Sequence, residues 1–330
     1  MAKSVLYFPF INVPNKAWFN RKLLYWDSVS AIVPYEFIED PDKLDPHMRD
    51  LVREGLVRQI VPSMLISKIP ECGPPFVEYL DSLAQQLPLR QKRFATKCVS
   101  VHADKMPEEV KEKLLACDLA RLKDYRWLEV EEATANEYMA YLAAAIGRLP
   151  RMDLTPVTDS RERLNVFLGS RERVDSKLDP LRLKVLRKAF PSPRVSLNAQ
   201  DISRFRNKYG DLLPRFRNWV ENKITHVAAI SDPYLQAKEW ENVTNELEDE
   251  KARIESSMNE YGFKSLVFGD CCAILGDLPK VGTPFKLLNA IYRAGGGEAG
   301  DNNSPLAYAA YASRELKLGT SEAIEGQENV

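Results

Sequence analysis

The sequence predicts an α/β domain at the amino-terminal end, followed by an all-α domain. Over residues 1–160, short β-rich runs alternate with helix-like segments, the pattern of a mostly parallel sheet covered by helices. Residues 161–317 show helical periodicity and contain few strand-like runs. The polar residues 318–330 are expected to form a disordered tail. This pattern leaves two sheet architectures open, a doubly wound sheet and an incomplete barrel.

The first strands of the predicted sheet end at prolines. β-rich runs at residues 4–10, 29–33 and 57–61 are each interrupted or followed by proline, which cannot donate to a sheet ladder. Between the runs, Asn15 and Asp45 stand where a helix N-cap is favoured. We therefore expect a helix after each of these two residues.

The remaining elements follow from periodicity and from the positions of proline and glycine. In the first domain we expect helices at 76–87, 107–122 and 133–149, with strands at 93–102, 127–130 and 154–157. In the second domain we expect helices at 179–189, 202–209, 233–261, 284–293 and 305–316, and one after Asp211. The 233–261 helix has an apolar seam at helix-pairing spacing, formed by Trp240, Val243, Leu247 and Ile254.

Composition excludes several classes of protein. We expect no signal peptide, because the apolar run at residues 4–8 is short and is followed by Pro9 and Pro14, and the most apolar later stretch, 265–276, is too short to span a bilayer. The five cysteines are an odd number without C-x-x-C spacing, which indicates reduced thiols. We therefore expect a soluble, cytoplasmic protein without a membrane partner.

Motifs for cofactor or metal chemistry are missing from the sequence. There is no G-x-G-x-x-G after the first strand, no Walker A motif, no H-E-x-x-H and no G-x-S-x-G. Gly295 to Gly297 lack the following lysine that would hold a phosphate, so we interpret them as a flexible loop. The three histidines lie far apart along the chain. We therefore predict no cofactor and no metal site.

One group of polar residues is a candidate catalytic site. His102, Asp104 and Lys105 follow one predicted strand, and Asp159 follows another. Because the carboxyl ends of parallel strands line the ligand crevice of such sheets, these side chains could converge there. A histidine near a carboxylate can act as a general base, and a lysine can hold an anion. The alternative is that the two aspartates cap helices and His102 is a satisfied polar group at a sheet edge.

The charge of the chain is segregated into two blocks. Residues 161–223 contain sixteen Lys or Arg against seven Asp or Glu, and residues 232–260 contain nine acidic against three basic residues. Five cations of the basic block alternate with aromatic residues, as in a nucleic-acid or anion-binding surface: Arg204, Arg206, Lys208, Arg215 and Arg217. The alternative, which we favour, puts the aromatic rings in a core and pairs the basic residues with the acidic helix.

Several short motifs carry a resemblance to a known family. They are the run from Leu6 through Trp18, Leu24 to Asp27, Ile32 to Pro34, His102 to Lys105, the helix from Glu132 to Ala143, Pro156 to Asp159, and the pairs Phe205-Arg206 and Phe216-Arg217. In these motifs the chain resembles the bacterial family defined by domain of unknown function 6236. The resemblance implies a bacterial protein and transfers no catalytic residue.

Three functions remain compatible with the sequence. The first is a non-catalytic interaction or scaffold component of a bacterial multi-protein assembly, in phage defence or a related stress response, with a protein partner or a second copy of the chain. The second is an enzyme or ligand sensor with a pocket at the carboxyl ends of the strands. The third is nucleic-acid binding through residues 161–223.

Overall fold

The structure of the protein is a computed structural model. The structure describes residues 4–66, 69, 72–159, 170–191, 197–260 and 304–318, with only the backbone described at 170–177 and 257–260. The helix expected at 284–293, the loop at Gly295 to Gly297, the start of the basic block and nearly all of the expected tail lie outside these residues.

The strands and helices have the following bounds. The strands are β1 (Ser4–Tyr7), β2 (Ser28–Ile32), β3 (Val57–Ile60), β4 (Cys98–His102), β5 (Ala120–Leu122), β6 (Trp127–Glu131) and β7 (Leu154–Val157). The first helices are α1 (Lys16–Tyr25), α2 (Glu36–Glu39), α3 (Pro46–Arg53), α4 (Ser63–Ile66), α5 (Pro74–Ser82), α6 (Leu87–Phe94), α7 (Glu108–Ala116) and α8 (Glu132–Gly147). The later helices are α9 (Ser170–Ala189), α10 (Ala199–Tyr209), α11 (Leu213–Ala229), α12 (Pro233–Glu260) and α13 (Ala307–Glu315).

The chain divides into two compact units. The first comprises residues 1–179 and 197–203, and the second comprises 180–196 and 204–330. An α/β region is thus followed by a helical one, which confirms the predicted fold class. The domain boundary that we placed at residue 160 stays a prediction.

A four-stranded parallel sheet forms the centre of the first unit. Its strand order is β3-β2-β1-β7, and every neighbouring pair is parallel. The chain moves outward from β1 to β3 and then returns to the other side of β1 with β7. Strand order therefore reverses at β1, the place where ligands bind in open α/β sheets. Pro156 lies in the outermost strand β7, where a missing backbone N–H is tolerated.

Helices cover both faces of this sheet. Successive residues of β1 point to opposite faces. On one face, the Tyr7 ring packs against Trp18 and Phe19 of α1, with ring centroids 5.8 and 5.3 Å away. On the other face, Leu6 and Phe8 join a buried cluster with apolar residues of α5, α7 and α8.

A second sheet corrects two of the predicted elements. β4, β6 and β5 form an antiparallel sheet in that order, separate from the parallel one. The strand expected at 93–102 begins only at Cys98, because residues 87–94 form α6. The helix expected at 107–122 ends at Ala116, since Asp118 adopts a left-handed backbone conformation and Leu119 and Ala120 are buried in the core.

Two predicted helix caps are confirmed. The Asn15 side chain accepts a hydrogen bond from the backbone N–H of Trp18 at 2.9 Å. The Asp45 side chain accepts one from Met48 at 2.7 Å, with Pro46 at the first helical position. Both contacts satisfy N–H groups that a helix start leaves unpaired.

The second unit is built around aromatic residues and the seam of α12. The ring of Tyr308 in α13 lies 5.1 Å from that of Phe205 and 5.8 Å from that of Phe216. Three residues of the predicted seam are buried, namely Val243, Leu247 and Ile254. α12 packs against α11 and α13, so this chain itself covers the apolar stripe of α12. In the part of the chain that the structure describes, no helix is long and apolar enough to cross a membrane.

Candidate functional site

The turn that follows β4 lies against the carboxyl ends of β1 and β2. β4 ends at His102, and the 3-10 turn Ala103–Lys105 follows. The Lys105 ammonium donates to the Pro9 carbonyl, just after β1, at 3.3 Å. The Asp104 carboxylate accepts from the backbone N–H of Tyr35, just after β2, at 3.2 Å. The structure therefore brings three predicted site residues to the end of the parallel sheet, although their own strand belongs to the antiparallel one.

His102 is buried, and other groups of the protein face both of its ring nitrogens. Its Nδ1 accepts the backbone N–H of Asp104 at 3.2 Å, which puts the ring proton on Nε2. Nε2 lies 3.2 Å from Oε1 of Glu36, close enough for electrostatic attraction but without hydrogen-bond geometry. Burial lowers the pKa of His102, and the carboxylates of Asp104 and Glu36 only partly oppose this. His102 would have to give up one of these contacts before it could take a proton from a substrate.

Glu36 is the centre of this polar cluster and was not among the predicted residues. Its carboxylate accepts a hydrogen bond from Lys43 at 3.0 Å and a further one from Arg126. Burial alone would raise the pKa of Glu36, but these two bonds and the nearby His102 bring it below its ordinary value. Arg126 comes from the β5–β6 connection, so Glu36 joins the second sheet to the end of β2. The signal that could have identified Glu36 is its position two residues after Pro34, which closes a predicted strand.

Lys105 is buried, and none of the carboxylates that the structure describes forms an ion pair with its ammonium group. The Pro9 carbonyl is the acceptor for its ammonium group, and the Tyr138 hydroxyl donates to its backbone oxygen at 2.6 Å. Burial lowers the pKa of Lys105 to about 7.

Asp159 lies at the end of a different strand. It follows β7, and β1 separates β7 from β2 in the sheet. Two strand spacings amount to roughly 10 Å, so Asp159 is offset from the end of β2, where His102 meets Glu36. The helix that Asp159 was predicted to cap lies outside the described residues. For Asp104, the predicted capping role is replaced by its bond to Tyr35.

Large apolar side chains are exposed around this cluster. Phe10 follows β1, Tyr35 and Ile38 follow β2, and Tyr125 lies in the β5–β6 connection, with exposed fractions of 38%, 43%, 40% and 84%. The Arg126 guanidinium stacks over the Tyr125 ring at 4.9 Å while it contacts Glu36. We call these five residues, Phe10, Tyr35, Ile38, Tyr125 and Arg126, the strand-end face.

The predicted anion-binding cations of the second unit belong to two helices and differ in exposure. Arg204, Arg206 and Lys208 lie on α10, and Arg215 and Arg217 lie on α11. Arg204, Lys208 and Arg215 are exposed, Arg206 is half-buried and Arg217 is buried. Lys208 forms an ion pair with Glu315 at 3.1 Å.

The aromatic residues between these cations face inward. Phe205, Tyr209 and Phe216 are buried, which confirms the core interpretation and removes them as stacking platforms for bases. Trp219 is half-buried, and its indole N–H donates to Glu246 of the acidic helix. Nucleic-acid binding through residues 161–223 thus stays a prediction without stacking support.

The basic and acidic blocks meet within the second unit. Lys188 pairs with Glu248 at 2.8 Å, and Lys223 pairs with Glu246 at 2.6 Å. Arg182 forms two bonds to Glu221, of 2.8 and 3.0 Å, inside the basic block itself. Part of the charge segregation is therefore used to hold helices of this unit together.

Among the residues described, no group of three or more His, Cys, Asp or Glu side chains is arranged to hold a metal ion. Comparison with known proteins gives no further guidance, because no protein-family model, curated protein or solved structure matches this chain. The family resemblance drawn from the sequence motifs stays a prediction.

Proposed function

We propose that this protein is a non-catalytic interaction component of a multi-protein assembly and that it binds its partner through the strand-end face. The observation that supports this most is the exposure of Phe10, Tyr35, Ile38 and Tyr125 around the polar cluster of Glu36. Exposed apolar side chains that lie together beside charged residues are typical of protein interaction sites.

The contacts of the polar cluster favour an interaction surface over an active site. The Glu36 carboxylate is bonded by Lys43 and Arg126, and the Asp104 carboxylate is bonded by the Tyr35 N–H. Both carboxylates thus already accept hydrogen bonds from the protein itself, which makes them less available to a substrate. They also hold the loops after β2 and β5 in one conformation, and a preorganised surface loses less entropy on binding.

The wider setting of the proposal comes from the sequence. We place the protein in the cytoplasm of a bacterial cell, in an assembly with a role in antiviral defence or a related stress response. Its partner is a different protein or a second copy of this chain.

Paired substitutions on the strand-end face test this proposal. We expect Ile38→Ser with Tyr125→Ser to weaken partner binding at least tenfold, because both changes remove exposed apolar area without opening the core. Leu89→Ser is the matched control, since Leu89 is 61% exposed on α6, which precedes the opposite end of β4.

Two measurements on these variants distinguish the two kinds of partner. Sedimentation velocity of the purified chain reports self-association, and quantitative co-purification from the source cell reports a different partner. A wild-type chain that is monomeric and co-purifies with nothing would contradict the proposal, as would an equal loss for the Leu89 control.

A second candidate function is a ligand sensor or enzyme with its site at the strand ends. The burial of Lys105 beside the end of β1, with a backbone carbonyl as the acceptor of its ammonium group, favours this alternative. Strand order reverses at β1, which is where open α/β sheets bind ligands.

A further inference from the structure

Asp104 connects the ring of His102 to the backbone of Tyr35 in the strand-end face. The backbone N–H of Asp104 donates to Nδ1 of His102 at 3.2 Å. Its carboxylate oxygen Oδ2 accepts the backbone N–H of Tyr35, also at 3.2 Å. The same Oδ2 atom lies 3.9 Å from Nδ1. One residue therefore contacts both the imidazole and the start of α2.

This arrangement requires the neutral form of His102. Nδ1 can accept the Asp104 N–H only while it carries no proton, since an imidazolium ring has two donors and no acceptor. A proton on Nδ1 would set two N–H groups against each other and would attract the Asp104 carboxylate. A charge-assisted N–H···O bond is about 2.8 Å long, so Oδ2 would move by about 1 Å toward Nδ1. The hydrogen bond from Tyr35, already 3.2 Å long, is the contact that this movement breaks.

Loss of that hydrogen bond reaches the exposed side chains of the strand-end face. The Tyr35 carbonyl accepts the backbone N–H of Ile38 at 2.9 Å, and both side chains are exposed. α2 between Glu36 and Glu39 has only four residues, and so short a helix depends on tertiary contacts for its stability. Release of Tyr35 removes such a contact from the first turn of α2.

Charged groups from three segments face His102. Glu36 of α2 lies 3.2 Å from Nε2, and together with Asp104 it favours the protonated ring. Lys105 of the same turn and Arg126 of the β5–β6 connection oppose protonation. Burial has the largest effect and lowers the pKa of His102. The ring therefore takes up its second proton below the ordinary value of about 6.5.

We infer that His102 is a pH-sensitive switch of the strand-end face: a proton taken up at Nδ1 draws the Asp104 carboxylate away from Tyr35 and releases the start of α2. The proton comes from solvent, and only hydrogen bonds change. Neutral pH holds the face in one conformation, and acidification loosens it. That this release weakens partner binding rests on the proposed function, whereas the switch itself does not.

Nuclear magnetic resonance of the purified full chain, without a partner, tests the inference. The His102 ring and the Tyr35 amide are followed from pH 7.5 down to about 5, above the ordinary pKa of about 4 for carboxylates. We expect the Tyr35 amide proton to shift upfield as its bond to the carboxylate breaks, with the same midpoint as the His102 ring. The Thr134 amide is the internal control and should not shift, because it donates to the Glu131 carboxylate at 2.8 Å, which lies beside Arg90.

Two variants identify the groups that carry the effect. His102→Asn keeps an acceptor for the Asp104 N–H and leaves Lys105 in place, so the Tyr35 shift should disappear. Asp104→Asn keeps an acceptor for Tyr35 but removes the charge that the protonated ring attracts, so His102 should titrate while the Tyr35 amide stays unchanged.

Three results would overturn the inference. They are a His102 ring that does not titrate in the folded chain, a Tyr35 amide that titrates with a different midpoint, and a Tyr35 shift that persists in His102→Asn. Because the experiment contains no partner, none of these results bears on whether the strand-end face binds one.

Discussion

At the strand-end face, one carboxylate determines the conformation of several loops. Glu36 is bonded by Lys43 and Arg126, and it lies 3.2 Å from His102. Because Glu36 is largely shielded from solvent, removal of a partner would leave a poorly compensated charge, which costs more than loss of a surface ion pair. The sequence could not reveal this contact, since Glu36 and Arg126 are 90 residues apart. Only the tertiary fold brings them together.

The protonation of His102 makes stability depend on pH. The pKa of His102 in the folded protein is lowered, chiefly by burial, whereas the unfolded chain has the ordinary value of about 6.5. As pH falls below about 6.5, the unfolded state takes up a proton that the folded state resists, so the free energy of unfolding decreases. We expect His102→Asn, which keeps an acceptor for the Asp104 N–H, to flatten this decrease.

Urea unfolding between pH 7.5 and 5.5 measures the effect of His102→Asn. The matched control is His226→Asn, because His226 is 65% exposed on α11. If His102→Asn and the wild-type chain lose the same unfolding free energy over this range, His102 does not carry the dependence.

At the level of elements, the sequence predicted the start of a helix correctly where a capping residue marks it. Asn15 and Asp45 cap their helices as predicted, because capping depends only on residues within one turn. The strand predicted from Arg93 begins later, and the helix predicted through Leu119 ends earlier, because tertiary packing decides between helix and strand at these two places. Leu119 and Ala120 continue the apolar pattern of α7, but β5 pairs with β6 and buries them in the core.

The packing of α8 on β7 depends on a glycine that the sequence did not single out. A Cβ atom at Gly147 would lie 2.3 Å from the carbonyl oxygen of Leu154. This oxygen belongs to the backbone of β7 and cannot rotate away. We expect Gly147→Ala to lower the free energy of unfolding by about 2 kcal/mol, the usual scale for overpacking.

Chemical unfolding monitored by circular dichroism measures the loss at Gly147. Gly210→Ala is the control, because a Cβ atom there meets nothing within 4 Å, and its effect should stay within about 0.5 kcal/mol. Equal stability of the Gly147 and Gly210 variants would show that α8 and β7 are less closely packed than described.

For the whole molecule, the charge pattern and the fold class were predictable, whereas the contacts of the site were not. The basic and acidic blocks meet through Lys188–Glu248 and Lys223–Glu246, as their order along the chain indicated. His102, Asp104 and Lys105 were predicted at the end of a parallel strand. They reach that place from an antiparallel sheet instead, because the 3-10 turn after β4 contacts the ends of β1 and β2. These contacts join residues that lie 69 and 96 positions apart in the sequence, and contacts at such a distance leave no local sequence signal.

Site-specific photocrosslinking tests the central claim, that the strand-end face binds a protein partner. A photoreactive phenylalanine analogue replaces Tyr125 in one version of the full chain and Leu89 in another, and both are expressed in the source cell and irradiated. We predict a discrete crosslinked species from position 125, to a second copy or to one other protein, and none from position 89. Absence of crosslinks from position 125, or the same products from both positions, would contradict the account.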